Sequence, residues 1–387
     1  MSSLLPVILL PVLFSVNAWA QAGGGSIDWG DALEQSLDWY GGDEAIRVAD
    51  NVLLYQLESG GWPKNVDMAE VLSEAEKARI RSEQADGETA LSEATIDNGA
   101  TYTQLRFLAR AYEATGHRRF AESFLRGMDY LLEAQYENGG WPQYYPIREG
   151  YFEHITFNDD AMIEAMRLLR DVAGGGVPFA FVDEARRERA AEAIEKGLNV
   201  ILATQIRVDG RLTAWCAQYD RETLRPAAAR TYEHISISGN ESVGIVEYLM
   251  DIESPSPEVI ASVQGAVSWF DRVRLSGIRL DRIDDASAPE GWDRAVVDDS
   301  AAPSMWARFY EIGSNCPIFS SRDGIVRCRL REISHERRTG YAWLGYWPAD
   351  LLEERYPAWQ MEWAPDEDVR QVSPAGTVEA AGNWCCR

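Results

Sequence analysis

Gln56-Leu57-Glu58-Ser59-Gly60-Gly61-Trp62-Pro63 is the first of three copies of one pattern in this sequence. The second is Gln135-Tyr136-Glu137-Asn138-Gly139-Gly140-Trp141-Pro142, and the third, looser copy runs from Gln205 through Asp209-Gly210-Arg211 to Trp215. In each, a helix-like stretch ends at Gln, a glycine turn follows and a Trp closes the turn. Self-similarity of this kind marks a fold built from one repeated supersecondary unit. Each copy leads into a short polar motif and then another helical stretch. The motifs are Ile96-Asp97-Asn98-Gly99, Phe157-Asn158-Asp159-Asp160 and Ile237-Ser238-Gly239-Asn240-Glu241. Three helical hairpins so spaced predict a mainly α fold, an (α/α)3 toroid or barrel over about residues 30–277. Its loops and helix starts would gather on one face as a groove.

Outward from the repeats, Leu105–Tyr112, Ala161–Val172 and Ala190–Leu202 carry helical apolar spacing. Alternating strand-like runs bounded by turn residues are scarce. From about Ile278 to Trp363 the chain turns rich in Pro, Gly and aromatics, which reads as a coil-rich second lobe with short helices. The stretch 364–387 reads as a flexible tail. At the other end, Leu4 to Val16 is an apolar run too short to span a bilayer, followed by Ala18-Trp19-Ala20, a cleavage pattern. No Lys or Arg precedes it. Residues 1–20 are therefore expected to be a signal peptide, residues 21–363 the mature folded domain, and the product a secreted, extracellular or periplasmic monomer with no membrane attachment.

The 387 residues carry a net charge of −25. Such a surface repels nucleic acid and anionic membranes, and a polyanionic substrate would require local cationic patches. Arginine supplies nearly all the positive charge, with Lys only at Lys64, Lys77 and Lys196. A salty medium, which screens self-repulsion, suits this balance. Five cysteines are too few for a disulfide scaffold in so long a chain. Cys216, Cys316 and Cys328 read as small buried residues, Cys385 and Cys386 as an exposed tail pair.

Asp97-Asn98 and Asp159-Asp160 each open a helix, where short polar side chains are first of all N-caps. Two such pairs at matching positions of neighbouring repeats also offer the oxygen ligands that calcium prefers, or an acid and base for glycoside hydrolysis. Among the arginines, Arg230 precedes the third repeat helix, while Arg322 and the pair Arg337-Arg338 lie in the coil-rich lobe; most arginines in such a chain are surface ion-pair partners. Lys64 follows a Trp-Pro turn next to the acidic motif. Trp62, Trp141, Tyr144, Tyr145, Trp215, Tyr219, Tyr341, Trp343 and Trp347 sit in or near the loops, some as core and some available to stack on sugars. The histidines share no metal-ligand spacing, and neither a nucleophile elbow nor a phosphate loop is present.

These segments together resemble polysaccharide lyase family 10, the pectate lyases with an α/α toroid. The likeness rests on Gly60-Gly61-Trp62-Pro63-Lys64-Asn65, Thr95-Ile96-Asp97-Asn98-Gly99-Ala100-Thr101, Arg106-Phe107-Leu108-Ala109 and Gly139-Gly140-Trp141-Pro142-Gln143-Tyr144-Tyr145-Pro146. It continues through His154–Met162, Arg230-Thr231-Tyr232-Glu233, Trp306–Ile312, Arg322-Asp323-Gly324 and Glu336–Trp343, in order over nearly the whole mature chain. Cys328 stands where an aromatic is expected, and Arg211 replaces the second glycine of the third repeat.

The resemblance implies Ca2+, a polygalacturonate substrate and an arginine base. It assigns Asp97, Asn98, Asp159 and Asp160 to the metal and Arg230 to catalysis. Lys64, Asn65, Trp141, Tyr144, Tyr232, Arg322, Arg337, Arg338 and Tyr341 would bind substrate, with the choice between Arg337 and Arg338 left open. The chemistry is coherent, because the C5 proton of galacturonate lies α to a carboxylate and cations on that carboxylate stabilise the enolate formed by its removal. An arginine base is protonated at ordinary pH, so the reading needs surrounding positive charge to lower its pKa and predicts an alkaline optimum. Two alternatives remain at this stage: a toroidal glycoside hydrolase using an Asp pair, and a non-catalytic secreted pectin-binding protein. Terpene cyclases also carry Gln-to-Trp repeats, but no convincing diphosphate-binding Asp box accompanies them here.

Overall fold

A computed structural model describes residues 27–87 and 89–370. The expected leader and most of the expected tail, including Cys385 and Cys386, lie outside the described residues. The chain is predominantly helical with short strands. Its helices are α1 (Trp29–Leu33), α2 (Asp43–Tyr55), α3 (Glu74–Asp86), α4 (Tyr102–Thr115), α5 (Arg118–Ala134), α6 (Ala161–Gly174) and α7 (Glu184–Thr204). There follow α8 (Glu241–Met250), α9 (Pro257–Arg272), α10 (His335–Gly340) and α11 (Tyr356–Trp363). Helices α4 and α5, α6 and α7, and α8 and α9 form hairpins. Across the hairpins, α2, α4, α6 and α8 pack in one row, while α5, α7 and α9 pack in a second. No helix among the described residues is long and apolar enough to cross a membrane.

The repeated Gln and Trp are the joints of this array. Gln56, Gln135 and Gln205 each donate twice from the side-chain amide, once to their own turn (Gly60, Gly139, Thr213) and once to the outer helix (Ser123, Ala193, Ser262), at 2.7–2.9 Å. Each Trp is fully buried, and its indole donates to a carbonyl of the preceding helix: Trp62 to Val52, Trp141 to Leu131 and Trp215 to Ile201. Trp306 repeats this with Phe270, a fourth joint that the pattern in the sequence does not announce. Gly60 (φ +97°) and Gly139 (φ +100°) are required here, since a Cβ would stand 2.5 Å from the Arg126 carbonyl oxygen and 2.4 Å from that of Lys196.

Two expectations are corrected. The lobe after Ile278 is not only coil, because Ile278–Asp284 and Trp292–Asp298 form a seven-residue antiparallel hairpin with full register. Its alternation is masked by charges at Arg279, Asp281, Arg282 and Asp284; Arg279 pairs with Asp281 and Asp299, and Arg282 lies over the Trp292 ring. Cys216 is a buried free thiol, as expected, but Cys316 and Cys328 are disulfide-bonded.

Candidate active site

The acidic motifs do not cap helices. Asp97–Gly99 and Asn158–Asp160 are one-turn 3-10 segments that pack against each other, just ahead of α4 and α6. Neither α4 nor α6 has a side-chain cap. The middle residue of each turn, Asn98 and Asp159, is left-handed at φ 50°, a conformation Asn and Asp tolerate better than most residues. The side chains are thus released from backbone duty.

Asp97 is buried. One of its oxygens pairs with Lys64, and the other, Oδ1, is buried without a partner. Burial works against the Lys64 charge, but the Asp97 carboxylate overrides it and raises the ammonium pKa. Lys64 also lies 5.6 Å above the Tyr144 ring, and Asn98 donates to Asn65 (2.9 Å). Tyr102, the first residue of α4, lies near the charges of both turns. Its hydroxyl pKa is pushed up by burial and then by the charges of Glu164, Asp160, Asp97 and Asp159.

Asp159 accepts from Asn158 (2.7 Å) and from Arg308 (3.1 Å). Arg308 is itself buried, pairs also with Glu241 of the third repeat motif, and stacks 4.8 Å from Tyr341. Burial opposes its charge, yet Glu241, Tyr341 and Asp159 together raise its pKa. Asp160 parts company with Asp159. Its Oδ1 is buried and unpartnered, and a Cβ on Gly244 would stand 2.2 Å from it. Burial, then the charge of Glu241, push this carboxyl up to about 7. Asp160 therefore packs against Gly244 of α8.

A second cluster holds the arginines. Arg230 grips Glu233 through Nε (2.8 Å) and a terminal nitrogen, and its backbone N–H donates to the same carboxylate (3.1 Å). The Tyr341 hydroxyl donates to Glu233 as well (2.7 Å). Burial tends to lower the Arg230 pKa, but Glu233 raises it on balance. The shift is opposite in direction to the lowering expected. The Tyr232 ring is surrounded by Arg337 (4.7 Å), Arg230 (5.0 Å) and Arg322 (5.7 Å). Arg322 and Arg337 share Glu336. Arg338 leaves the cluster: it makes a bidentate pair with Asp293 of the hairpin (2.6 and 2.7 Å) and donates to the Ile333 carbonyl. Arg337, not Arg338, belongs to the cluster around Tyr232.

Two links join the clusters. Arg308 connects Asp159 to Tyr341 and through it to Glu233 and Arg230. Tyr151 stands within electrostatic reach of both sides, its hydroxyl raised by burial and then influenced by Arg230, Glu233, Lys64 and Tyr144. Asp97, Asp159 and Arg230 thus border one region. Trp141 does not, being wholly buried as a repeat joint, and Tyr144 and Tyr232 are buried platforms for cations rather than open faces for sugar. Glu233, Arg308, Glu241, Tyr102 and Tyr151 carry no role in the reading of the sequence. Of these, Glu241 had a signal, as the acid of the third motif.

Among the described residues no three His, Cys, Asp or Glu side chains form a ready-made metal site. Asp97 Oδ1, Asp159 and the Asn98 amide are hard oxygen donors of the kind calcium takes, and the orphaned Asp97 oxygen has no other partner. They fit a calcium ion in chemistry but fall short of its six to eight ligands.

Acidic turns on a helical array are thus linked through Arg308 and Tyr341 to a guanidinium cluster. Residues 56–352 match the family model described as pectic acid lyase, so the chain belongs to that family and is a polysaccharide lyase. It is similar to the family 10 polysaccharide lyase from Cellvibrio cellulosa, at 34% identity and TM-score 0.70, covering 84% of this chain and 94% of that one. A mutant of family 10 polysaccharide lyase from the same organism, in complex with trigalaturonic acid, aligns at 33% identity and TM-score 0.70, covering 85% of this chain and 96% of that one. No curated protein matches the chain.

Proposed function

We propose that this enzyme is a pectate lyase that cleaves polygalacturonate by calcium-assisted anti-β-elimination, with Arg230 as base, releasing 4,5-unsaturated oligogalacturonides. The observation that carries the reading is the run of contacts from Asp159 through Arg308 and Tyr341 to the Glu233–Arg230 pair, beside the turn that holds the Lys64–Asp97 pair. The relative in complex with trigalaturonic acid supports the substrate class.

Asp97 and Asp159, with Asn98, would hold calcium, water and substrate completing the shell. When bound, the ion supplies positive charge that stabilises the carboxylate made electron-rich by loss of the C5 proton. Lys64, Arg322 and Arg337 would hold galacturonate carboxylates. Arg230 takes the C5 proton, the C4–O bond breaks with its electron pair leaving on oxygen, and the C4=C5 double bond forms. Glu233 fixes the guanidinium in one orientation, as Tyr341 fixes Glu233. Because Glu233 favours the charged guanidinium, loss of its proton requires alkaline pH. Glu233 is therefore a positioning residue that sets the working pH upward.

We also read the two helix rows as the (α/α)3 toroid expected from the repeats, with 21–363 as one catalytic unit and the protein exported. The disulfide-bonded Cys316 and Cys328 support an oxidising compartment. The test is the ultraviolet absorbance of polygalacturonate incubated with the enzyme, with and without a calcium chelator. A lyase generates the unsaturated chromophore only without chelator. New reducing ends without absorbance would reveal a hydrolase, and saturable binding without either would reveal a binding protein.

A further inference from the structure

The antiparallel hairpin of Ile278–Asp284 and Trp292–Asp298 sets Arg282 directly opposite Arg294. Like charges so placed repel each other. Among the described residues neither guanidinium has a carboxylate within ion-pair distance, and Asp284, opposite Trp292, pairs with neither. What steadies them is the Trp292 ring, 4.2 Å from Arg282 and 6.0 Å from Arg294, which attracts each charge without cancelling it. A like-charge pair left standing in this way is a local cost of the kind proteins carry at functional surfaces.

Arg331 adds a third cation. It is exposed on the turn Leu330–Glu332 and has no carboxylate partner among the described residues. With Arg294 and Arg329 it lines a cavity of about 380 Å3 beside the second strand of the hairpin. The acids of this lining are Asp293, which Arg338 neutralises, and Asp298. With the Asp293–Arg338 pair set aside, three arginines face one aspartate, in a chain whose net charge is −25.

The position of this surface points to its ligand. Two ties hold the hairpin to α10, so it keeps its place if one is lost: the bidentate Asp293–Arg338 pair, and His335 Nε2 donating to the Trp292 carbonyl (2.7 Å). Helix α10 has six residues, about 9 Å of length, and the same helix carries Arg337 into the cluster around Tyr232. The hairpin thus sets a second group of cations beside that of Arg322 and Arg337. A protein so acidic repels a polyanion overall and gains from such local patches. A guanidinium takes a carboxylate through two parallel hydrogen bonds, and a polyuronate presents one carboxylate on every residue. Strands of seven residues span about 23 Å, room for several sugars.

We propose that the hairpin is an accessory binding arm for polygalacturonate, with Arg282, Arg294 and Arg331 holding carboxylates of residues remote from the bond that is cut. The proposal rests on the pectate lyase reading and adds to it a dependence on chain length.

The test compares the full chain with its variant Arg282→Gln/Arg294→Gln/Arg331→Gln. Ultraviolet product gives kcat/KM on trigalacturonate and on polygalacturonate, at low and at raised salt. On the polymer at low salt the variant should lose at least about fivefold, chiefly through KM, as expected of three exposed charge contacts. On trigalacturonate, too short to reach the arm, it should lose less than about twofold. The loss on polymer should shrink as salt rises, because salt screens exposed charges. The ratio of polymer to trimer is taken within one protein, so incomplete folding does not disturb it, and Arg282→Gln/Arg294→Gln gives the same reading should the triple variant fail to fold. Equal losses on the two substrates, or no loss on the polymer, overturn the arm. No ultraviolet product from the parent on either substrate overturns the lyase reading instead. The arm is then read from calcium-free gels cast with polygalacturonate: stronger retardation of the parent than of the variant supports it, and equal retardation overturns it.

Discussion

Replacing Glu233 by Gln removes the negative charge that holds Arg230 protonated while keeping the shape of the side chain. Glu233 is only 8% exposed in its side chain, but Arg230 is 41% exposed, so the interaction is screened and stands well below that of a fully buried pair. A buried pair loses about 3–5 kcal/mol when one partner goes, and an exposed one about 0–1 kcal/mol. Between these limits about 1.5 kcal/mol is reasonable, which is about one pKa unit. The sign follows from the role. Glu233 raises the Arg230 pKa, the base must be deprotonated, and removing Glu233 therefore raises the active fraction at any given pH below that pKa. The alkaline-rising limb of kcat/KM against pH should shift down by about one unit. The plateau should fall, since the guanidinium loses an orienting partner and the Tyr341 hydroxyl its acceptor. The assay is initial rate on polygalacturonate at saturating calcium over a pH series, with circular dichroism at each pH. A limb that stays at the parent pH while the plateau drops would refute Arg230 as the titrating base.

Excess chelator should abolish turnover and added calcium restore it, and Asp97→Asn should raise the calcium needed for half-maximal rate by about tenfold or more, read from a calcium titration. Trp141→Ala should cost about 3–5 kcal/mol of stability, measured by urea unfolding, because the indole is a fully buried joint; unchanged stability with a raised KM would return it to the substrate. Gly60→Ala should destabilise by more than about 2 kcal/mol, against about 1 kcal/mol for Gly116→Ala, since both have positive φ but only Gly60 meets a backbone oxygen. Arg338→Ala should lower Tm with KM little changed, whereas Arg337→Ala should raise KM for polygalacturonate; equal KM effects would contradict the separation of the two side chains.

The helical array was legible because its joints repeat. A Gln that bonds both its own turn and the neighbouring helix, and a Trp that plugs the turn, recur at one spacing, so three weak signals reinforce each other. The same repetition misled on Trp141, since a loop Trp that plugs a turn and one that stacks on sugar look alike in sequence. The acidic motifs were legible as pairs, but which carboxylate turns outward was not. Asp159 and Asp160 are neighbours that both take a left-handed φ, and one side chain meets Arg308 while the other packs on Gly244. Arg337 and Arg338 diverge in the same way, as consecutive positions on a helix point about 100° apart. Arg308 was illegible for a different reason. It is one arginine in an arginine-rich chain, and its meaning comes from partners on two other segments, Asp159 and Glu241. The hairpin at 278–298 escaped because charged residues alternate with the few apolar ones, Arg279 pairing with Asp281 on its own strand and with Asp299 just past the other.

The most direct test of the account is the rate of Arg230→Ala on polygalacturonate at saturating calcium and alkaline pH, beside the parent enzyme of matched thermal stability. Loss of a general base removes about 10²–10⁴ in rate, so the account predicts a fall of at least a hundredfold in kcat with ultraviolet product still the only product. A variant within tenfold of the parent would show that the proton at C5 leaves to some other group.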